Sequence, residues 1–405
     1  MADATFLARV ALKNYKSIRA CDVRLGSLMF LVGPNGSGKS NFLDALRFVA
    51  DALRTSVDHA LRDRGGINEV RRRSSGHPNH FGLRLDFVLG DGSRGFYAFR
   101  IGARPMGGYT VQEEECDFYH GQALSRRQFF RVASGEVTDS SVEVRPAASI
   151  DRLYLVNASG LAEFRPVYEA LSRMGFYNLS PDRIRDLQSP DAGELLARDG
   201  SNIASVLGKL TRHARERKSR IEEYLAKVVP SISGVDVKVI GPKETLEFRQ
   251  RVAGSDYPWR FLAANMSDGT LRALGVLVSL FQAGNGIQPN IPLVGIEEPE
   301  AALHPAAAGI LRDGLRDASA GTQVIVTSHS PDLLDDEKLS VESMLAVDSS
   351  EGSTWIAPIN EYGRSALRDR LYTAGELLRM DHLKPDPDVI KGLSEKQTRL
   401  DGDSN

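Results

Sequence analysis

At 405 residues, with 41% hydrophobic and 26% charged positions, the chain has the composition of a globular protein with room for two or three domains. Its 51 Lys and Arg against 53 Asp and Glu leave a net charge of −2, so overall charge argues for no nucleic-acid or membrane partner and only local clusters can. No apolar run nears the ~20 residues of a bilayer span, the first residues lack a signal-peptide layout, and Cys21 and Cys116 are too few for a zinc cluster or disulfide framework, so a cytoplasmic protein is expected.

In chain order, residues 6–14 alternate loosely and predict a first strand, with 22–25 pairing to it. An apolar strand over 29–32 then runs into Gly33-Pro34-Asn35-Gly36-Ser37-Gly38-Lys39-Ser40, and a helix follows over 41–53. This is the G-x-x-x-x-G-K-[ST] pattern in its strand–loop–helix setting, which predicts a triphosphate cradle. Glycines let backbone N–H groups curl around a phosphate, and the new helix offers its positive dipole end to the same anion. Lys39 is expected to reach the β- and γ-phosphates and Ser40 to ligate magnesium (Mg2+). The expected contact set is Asn35, Gly36, Ser37, Gly38, Lys39, Ser40 and Asn41, with ATP as the nucleotide.

Beyond a loop over 63–80, the β-rich runs 81–89, 95–101 and 109–119 are separated by turn residues and predict an antiparallel meander, with a further hairpin over 122–145. Composition shifts near residue 150. Helical spacing marks 161–171 and again 202–229, where Pro230 ends the helix. A hairpin over 235–240 and 245–252 follows. Residues 264–272 lead into an apolar helix, 291–296 form a buried strand ending Glu297-Glu298-Pro299-Glu300, 303–315 a helix, and 322–326 a strand ending Thr327-Ser328-His329. Strands over 344–347 and 354–357 and a helix near 367–378 precede a polar tail from Lys384, expected to be disordered. The domains expected are a first ATPase lobe over 1–148, a mainly helical insertion over 149–233, a second lobe over 234–383 and the tail over 384–405.

Acids at the end of an apolar strand are the usual partner of such a phosphate loop. If the strand stays extended, Glu297 and Glu298 point to opposite sides. We assign Glu297 to the metal and Glu298 to the attacking water. His329, ending the next strand, is placed to sense the γ-phosphate, so Glu298, His329 and Lys39 form the expected catalytic set. Basic residues cluster twice, at Arg62, Arg64 and Arg71–Arg73, and at Lys209, Arg212, Arg215, Arg217, Lys218 and Arg220. Either is a solvated face or a phosphate-binding surface. Tyr15 reads equally as an adenine platform or as core.

The interval from Lys39 to Glu298 far exceeds one or two β–α units. The order GPNGSGKSN, MSDGTLR, EEPEAALHP, TSHSP resembles the ABC-type ATPase heads of RecF, SMC and OLD proteins, and most closely the stand-alone RecF-like ATPases of bacterial genome maintenance and anti-phage defence. The resemblance implies an α/β P-loop NTPase of the ABC/SMC-head type, with a mixed central sheet, an antiparallel β-meander and an α-helical insertion. It places Ser267 and Gly269 in the signature loop that contacts the γ-phosphate held by a second copy, so ATP would join two chains head to head. Several positions depart from the family pattern: Asp268 stands for a glycine, Glu297 for the commoner metal aspartate, His304 for an aspartate, and no Q-loop glutamine is evident over 63–89. Long coiled-coil arms and a TOPRIM nuclease cluster are not expected. The leading expectation is therefore an ATP-driven switch for a separately encoded effector, a nuclease or toxin. A RecF-like DNA clamp is the alternative, and a transporter ATPase subunit is disfavoured for want of a Q-loop.

Overall fold

The computed structural model describes residues 5–74, 78–121, 126–282 and 291–393. They form two compact units, one of residues 5–174 with 338–372 and the chain from Leu377, the other of 175–337 with 373–376.

The first unit opens with β1 (Leu7–Tyr15), β2 (Ile18–Arg24) and β3 (Leu28–Val32), then α1 (Lys39–Arg54), α2 (Val57–Arg62) and α3 (Ile67–Val70). The meander follows as β4 (His80–Val88), β5 (Arg94–Ala103), β6 (Tyr109–His120), β7 (Arg126–Ala133) and β8 (Glu136–Ser140), then α4 (Tyr154–Ala158) and α5 (Arg165–Ser172). Along β4, Phe81, Leu83, Leu85 and Phe87 are buried and their neighbours are not, the two-residue period of a half-buried antiparallel strand. Ser134 and Gly135 join β7 to β8 with positive φ at both, as a tight hairpin turn needs. The expected hairpin thus exists, with residues 122–125 outside the described chain.

A carboxylate ties the meander to the helices. Glu114 of β6 is buried and accepts from Tyr97 Oη at 2.9 Å and from the backbone N–H groups of Tyr154 and Leu155 at the start of α4. Burial pushes its pKa up to about 7, even against those three donors.

The second unit contains β9 (Gly175–Tyr177), α6 (Pro181–Arg185), α7 (Ile203–His213), α8 (Arg215–Val228), β10 (Ile232–Ile240), β11 (Lys243–Gln250), β12 (Trp259–Leu262), α9 (Asp268–Phe281), β13 (Leu293–Glu297), α10 (Ala308–Ala318), β14 (Gln323–Ser328) and α11 (Pro331–Leu334). Strand β13 pairs in parallel with β14 and with β9. Leu293 to Ile296 are all buried, the continuous apolar run of a strand covered on both faces. Strands β10, β11 and β12 form a separate antiparallel sheet.

The chain then returns to the first unit with β15 (Met344–Ser350), β16 (Ser353–Pro358) and α12 (Glu361–Arg368), before α13 (Ala374–Arg379). The first unit's strands lie in the order β8-β7-β6-β5-β4-β1-β2-β16-β15-β3. Pairing is antiparallel through the meander and parallel at β15 with β3, whose register sets Met344 opposite Phe30. The sheet is mixed, as expected.

Four expectations change. The helix expected over 202–229 is two, broken at Ala214 (φ −149°, ψ 55°). Alanine favours helix, so packing overrides propensity here: Lys218 is drawn inward to Glu222 and Asp236, and Tyr224 stacks on Phe281. The helix expected from 161 starts at Arg165, with Pro166 in its first turn, where the missing N–H costs nothing. The helix near 367–378 is interrupted at Arg370, in the left-handed region. The tail is not free from Lys384: Lys384 O accepts from Asn360 N, Asp386 N donates to Pro358 O, and Arg364 pairs with Asp386 at 2.8 Å.

Candidate functional site

The phosphate loop grows out of β3, whose last four residues are buried. Gly36 (φ 77°) and Gly38 (φ 102°) occupy the left-handed region, where side chains other than glycine's are strained. The two differ in surroundings. A Cβ at Gly36 meets nothing within 4 Å, whereas one at Gly38 would stand 2.1 Å from Thr354 Oγ1. Thr354 on β16 also donates to Ser37 O at 2.8 Å and lies 2.7 Å from Ser17 Oγ, which accepts from Asn41 Nδ2 at 2.7 Å. The back of the loop is therefore braced by a strand far away in sequence, and its front is open. Asn41 serves this brace with its side chain. Lys39 is buried, its ammonium donating to Gly33 O at 2.8 Å and Pro34 O at 2.9 Å. Asn35, Gly36 and Ser40 are exposed. Helix α1 has no acid in its first turn to compensate its dipole. Ser37 Oγ is buried with no partner. An unused hydroxyl, open amides and an uncompensated helix start suit a phosphate group.

Tyr15 is core. It is fully buried, donates to Asp44 Oδ2 at 2.9 Å and packs edge-on against Phe48 and Phe81, so the adenine platform is withdrawn. Asp44 also takes up Arg64 of the first basic cluster, and Arg62 pairs with Asp58. Burial alone would raise the pKa of Asp44, but Arg64, Lys16 and Arg47 more than reverse this and hold it below the usual carboxylate range. Arg71 donates to Pro78 O, Arg72 to Ser353 Oγ, and Arg73 pairs with Glu69. This cluster is fold chemistry.

In the second unit, β13 ends at Glu297. The extended geometry behind the alternating-sides argument stops there, because Glu298 takes φ +44°. Its N–H is held by Thr327 O at 3.0 Å. The carboxylate then meets His329, with Oε1 3.2 Å from Nδ1 and both side chains about two-fifths exposed. Glu297 instead pairs with Arg198, Oε1 to Nη2 at 2.7 Å. Glu300 accepts from Ser328 Oγ at 2.6 Å, its other oxygen is buried without a partner, and burial raises its pKa. A non-glycine residue in the left-handed region at a strand end, beside an imidazole, is the kind of strained geometry that collects at functional sites. A solvent-reached carboxylate–imidazole pair can take and relay a proton.

Ser267 caps α9, accepting from Thr270 N at 3.3 Å. Asp268, the residue in place of glycine, is paired with Arg185, which also donates to Met266 O. A Cβ at Gly269 would sit 2.6 Å from Ala302 O, so only glycine allows this approach. His304 caps the following short turn, Nδ1 accepting from Ala306 N. From the second basic cluster, Arg217 donates to Gln282 O, Lys218 is buried in ion pairs and Arg220 binds Asp317. Lys209, Arg212 and Arg215 make no ion pair among the described residues, and Arg212 and Arg215 are exposed. Among the described residues no three His, Cys, Asp or Glu side chains gather as a metal cage, and none is needed where phosphate and water supply most of the ligands.

Thr354, Arg198 and Arg272 escaped the sequence reading. Thr354 and Arg198 carry no local signal. Arg272 did, as a lone charge in an apolar helix, and its guanidinium donates to Leu179 O, Glu297 O and Glu298 O.

A family model described as "AAA domain, putative AbiEii toxin, Type IV TA system" matches residues 28–335. The chain belongs to this family. The AAA-domain match takes in residues 33–40, Ser267 to Gly269, the acid turn and His329. An OLD nuclease of Thermus scotoductus is 24% identical over 89% of this chain and 66% of its own length. A chromosome partition protein Smc of Coxiella burnetii is 24% identical over 50% of this chain and 17% of its own. A RecF replication and repair protein of Vibrio cholerae is 46% identical over 41 residues, 10% of this chain and 11% of its own. The chain thus spans less than two thirds of the length of these relatives. An SMC head solved with the C-terminal winged-helix domain of ScpA superposes with a TM-score of 0.56 at 14% identity, covering 88% of this chain and 99% of that one. A Pyrococcus furiosus Smc head, bound to the C-terminal domain of ScpA, does so at 0.51 and 13%, covering 90% and 99%. The fold is that of the ABC/SMC heads, and the family is the RecF/SMC/OLD-like ABC-type ATPases. No described helix is long and apolar enough to cross a membrane.

Proposed function

We propose that this protein binds and hydrolyses ATP, and that two copies associate head to head around nucleotide to control a separately encoded effector, a nuclease or toxin, in anti-phage defence. The observation that carries the chemistry is the Glu298–His329 pair at the strand end, in a chain whose phosphate loop is braced and open. Lys39 and the loop amides hold the triphosphate, and Glu298 takes the proton of the attacking water. His329 orients that carboxylate and meets the γ-phosphate. Magnesium, with Ser40 and Glu297 as its protein ligands, would neutralise charge on the phosphate oxygens. Glu297 must then leave Arg198. The signature loop of a second copy, at Ser267 and Gly269, completes the anion's surroundings.

The test is Glu298→Gln. A general base contributes about 10²–10⁴ in rate, so ATP turnover should fall by that factor while equilibrium ATP binding is kept. Turnover at the wild-type rate would remove Glu298 from the role. The second reading, a RecF-like DNA clamp, is favoured by the exposed Arg212 and Arg215 beside Lys209. It predicts salt-sensitive DNA binding that their neutralisation weakens.

A further inference from the structure

We propose that Arg272 is a positioning residue for hydrolysis, holding the backbone of the Glu297–Glu298 turn so that the Glu298 carboxylate is presented to its task. The inference rests on the reading of Glu298 as base and adds a residue to it. Arg272 is 8% exposed in α9, among Leu271, Ala273, Leu274 and Val276, all buried. A guanidinium in such surroundings is costly unless its donors are used. Among the described residues its hydrogen bonds go to backbone, Nη1 to Leu179 O and Nη2 to Glu297 O at 3.0 Å and Glu298 O at 2.9 Å, while Nε is buried without a partner. A helix-packing role alone would be met by leucine or methionine. The planar fork does something else, because one nitrogen bridging two successive carbonyls fixes the two peptide planes relative to each other.

Those planes flank the residue that needs fixing. Glu298 stands at φ +44°, a conformation that persists only when its surroundings over-determine it. Its N–H is held by Thr327 O and its C=O by Arg272. With both backbone groups fixed, the side chain is left to meet His329 Nδ1 at 3.2 Å. Helix α9 touches the turn again at its first residues, where Gly269 approaches Ala302 O too closely for any Cβ. The helix that begins at the signature serine therefore grips the acid turn at both ends. Displacing its start would move the Glu298 backbone through the rigid helix.

The experiment uses the full chain and compares wild type with Arg272→Met, Arg272→Lys and Arg272→Ala for ATP turnover, equilibrium ATP binding and urea unfolding. A misplacement of about 1 Å can cost 10²-fold. We expect Arg272→Met to lower kcat by about that factor with KM and ATP affinity within threefold, and Arg272→Lys, which keeps a donor without the fork, to fall between. Free guanidinium should restore part of the turnover of Arg272→Ala and none of that of Glu298→Gln. In the Glu298→Gln background the Arg272 change should have no further effect, since the carboxylate it positions is gone. Unchanged kcat in Arg272→Met, a loss confined to ATP affinity, or an equal further loss in the Glu298→Gln background would overturn the proposal. Should the Met and Ala variants fail to fold, Arg272→Lys decides it: folded with wild-type kcat, it refutes the need for a fork. Wild-type turnover in Glu298→Gln would instead refute the reading of the base.

Discussion

Gly38 shows how one residue can be required twice. Its φ of 102° disfavours any side chain, and Thr354 Oγ1 fills the place a Cβ would take. Gly38→Ala should therefore destabilise the fold by about 1–3 kcal/mol and abolish ATP binding, read by urea unfolding and a fluorescent-nucleotide titration; wild-type affinity would show the loop to be pliable. Thr354→Val keeps the shape and removes the hydroxyl that donates to Ser37 O and meets Ser17. A lost hydrogen bond of this kind is worth about 1–2 kcal/mol, so ATP affinity should drop about tenfold while the fold survives. At this scale the sequence is legible where chemistry is local. The glycines, Lys39 and Ser40 lie within eight positions, and their types alone carry the meaning. Thr354 and Arg198 act from remote segments and leave no local trace. The conformation at Glu298 is hidden for the same reason: it depends on Thr327 and Arg272, which the strand pattern does not reveal.

Among elements, the meander is the most legible, because β4 and β7 keep a two-residue period over one buried face and β5 and β6 keep most of it. The three-residue β9 and four-residue β12 carry too few periods to register, and the break at Ala214 reflects packing by Lys218 and Tyr224 that no local pattern encodes. The bond from Glu114 to the start of α4 is likewise a long-range tie, with a measurable consequence. Its carboxyl has an ordinary pKa near 4.5 and a folded value of about 7. A group whose pKa is raised on folding binds its proton more tightly in the native state, so its contribution to stability is present below pH 4.5 and is lost as pH rises through 7. Wild-type stability should thus lose up to about 3 kcal/mol from this group between those limits, measured by urea unfolding at closely spaced pH. Glu114→Ala, which leaves two amides and the Tyr97 hydroxyl without their acceptor, should be less stable throughout and lack this segment of the pH dependence. A pH dependence identical to wild type would assign it to other carboxyls.

For the whole molecule, the question is whether the unit of function is one chain or two. Among the described residues Ser267 serves as a cap, its hydroxyl meeting Thr270; replacing it costs about 1 kcal/mol, which a folded head should survive. Ser267→Arg places a long charged side chain at the position expected to face a second copy. In the Glu298→Gln background with ATP, the 44.3 kDa chain should double its mass in light scattering, and Ser267→Arg should return it to a single chain with urea stability nearly unchanged. Equal dimer formation in both would place the contact elsewhere. The same preparations separate the two biological readings. If the protein grips DNA through Lys209, Arg212 and Arg215, neutralising all three should lower the slope of log affinity against log salt by up to about 3, at roughly 0.9 per phosphate contact. If it switches an effector, the triple variant should keep both dimer formation and ATP turnover, and DNA should change neither. Dimerisation that DNA enhances and the triple variant loses would favour the clamp, because it would make the exposed basic residues of α7 and α8 part of the nucleotide-driven step.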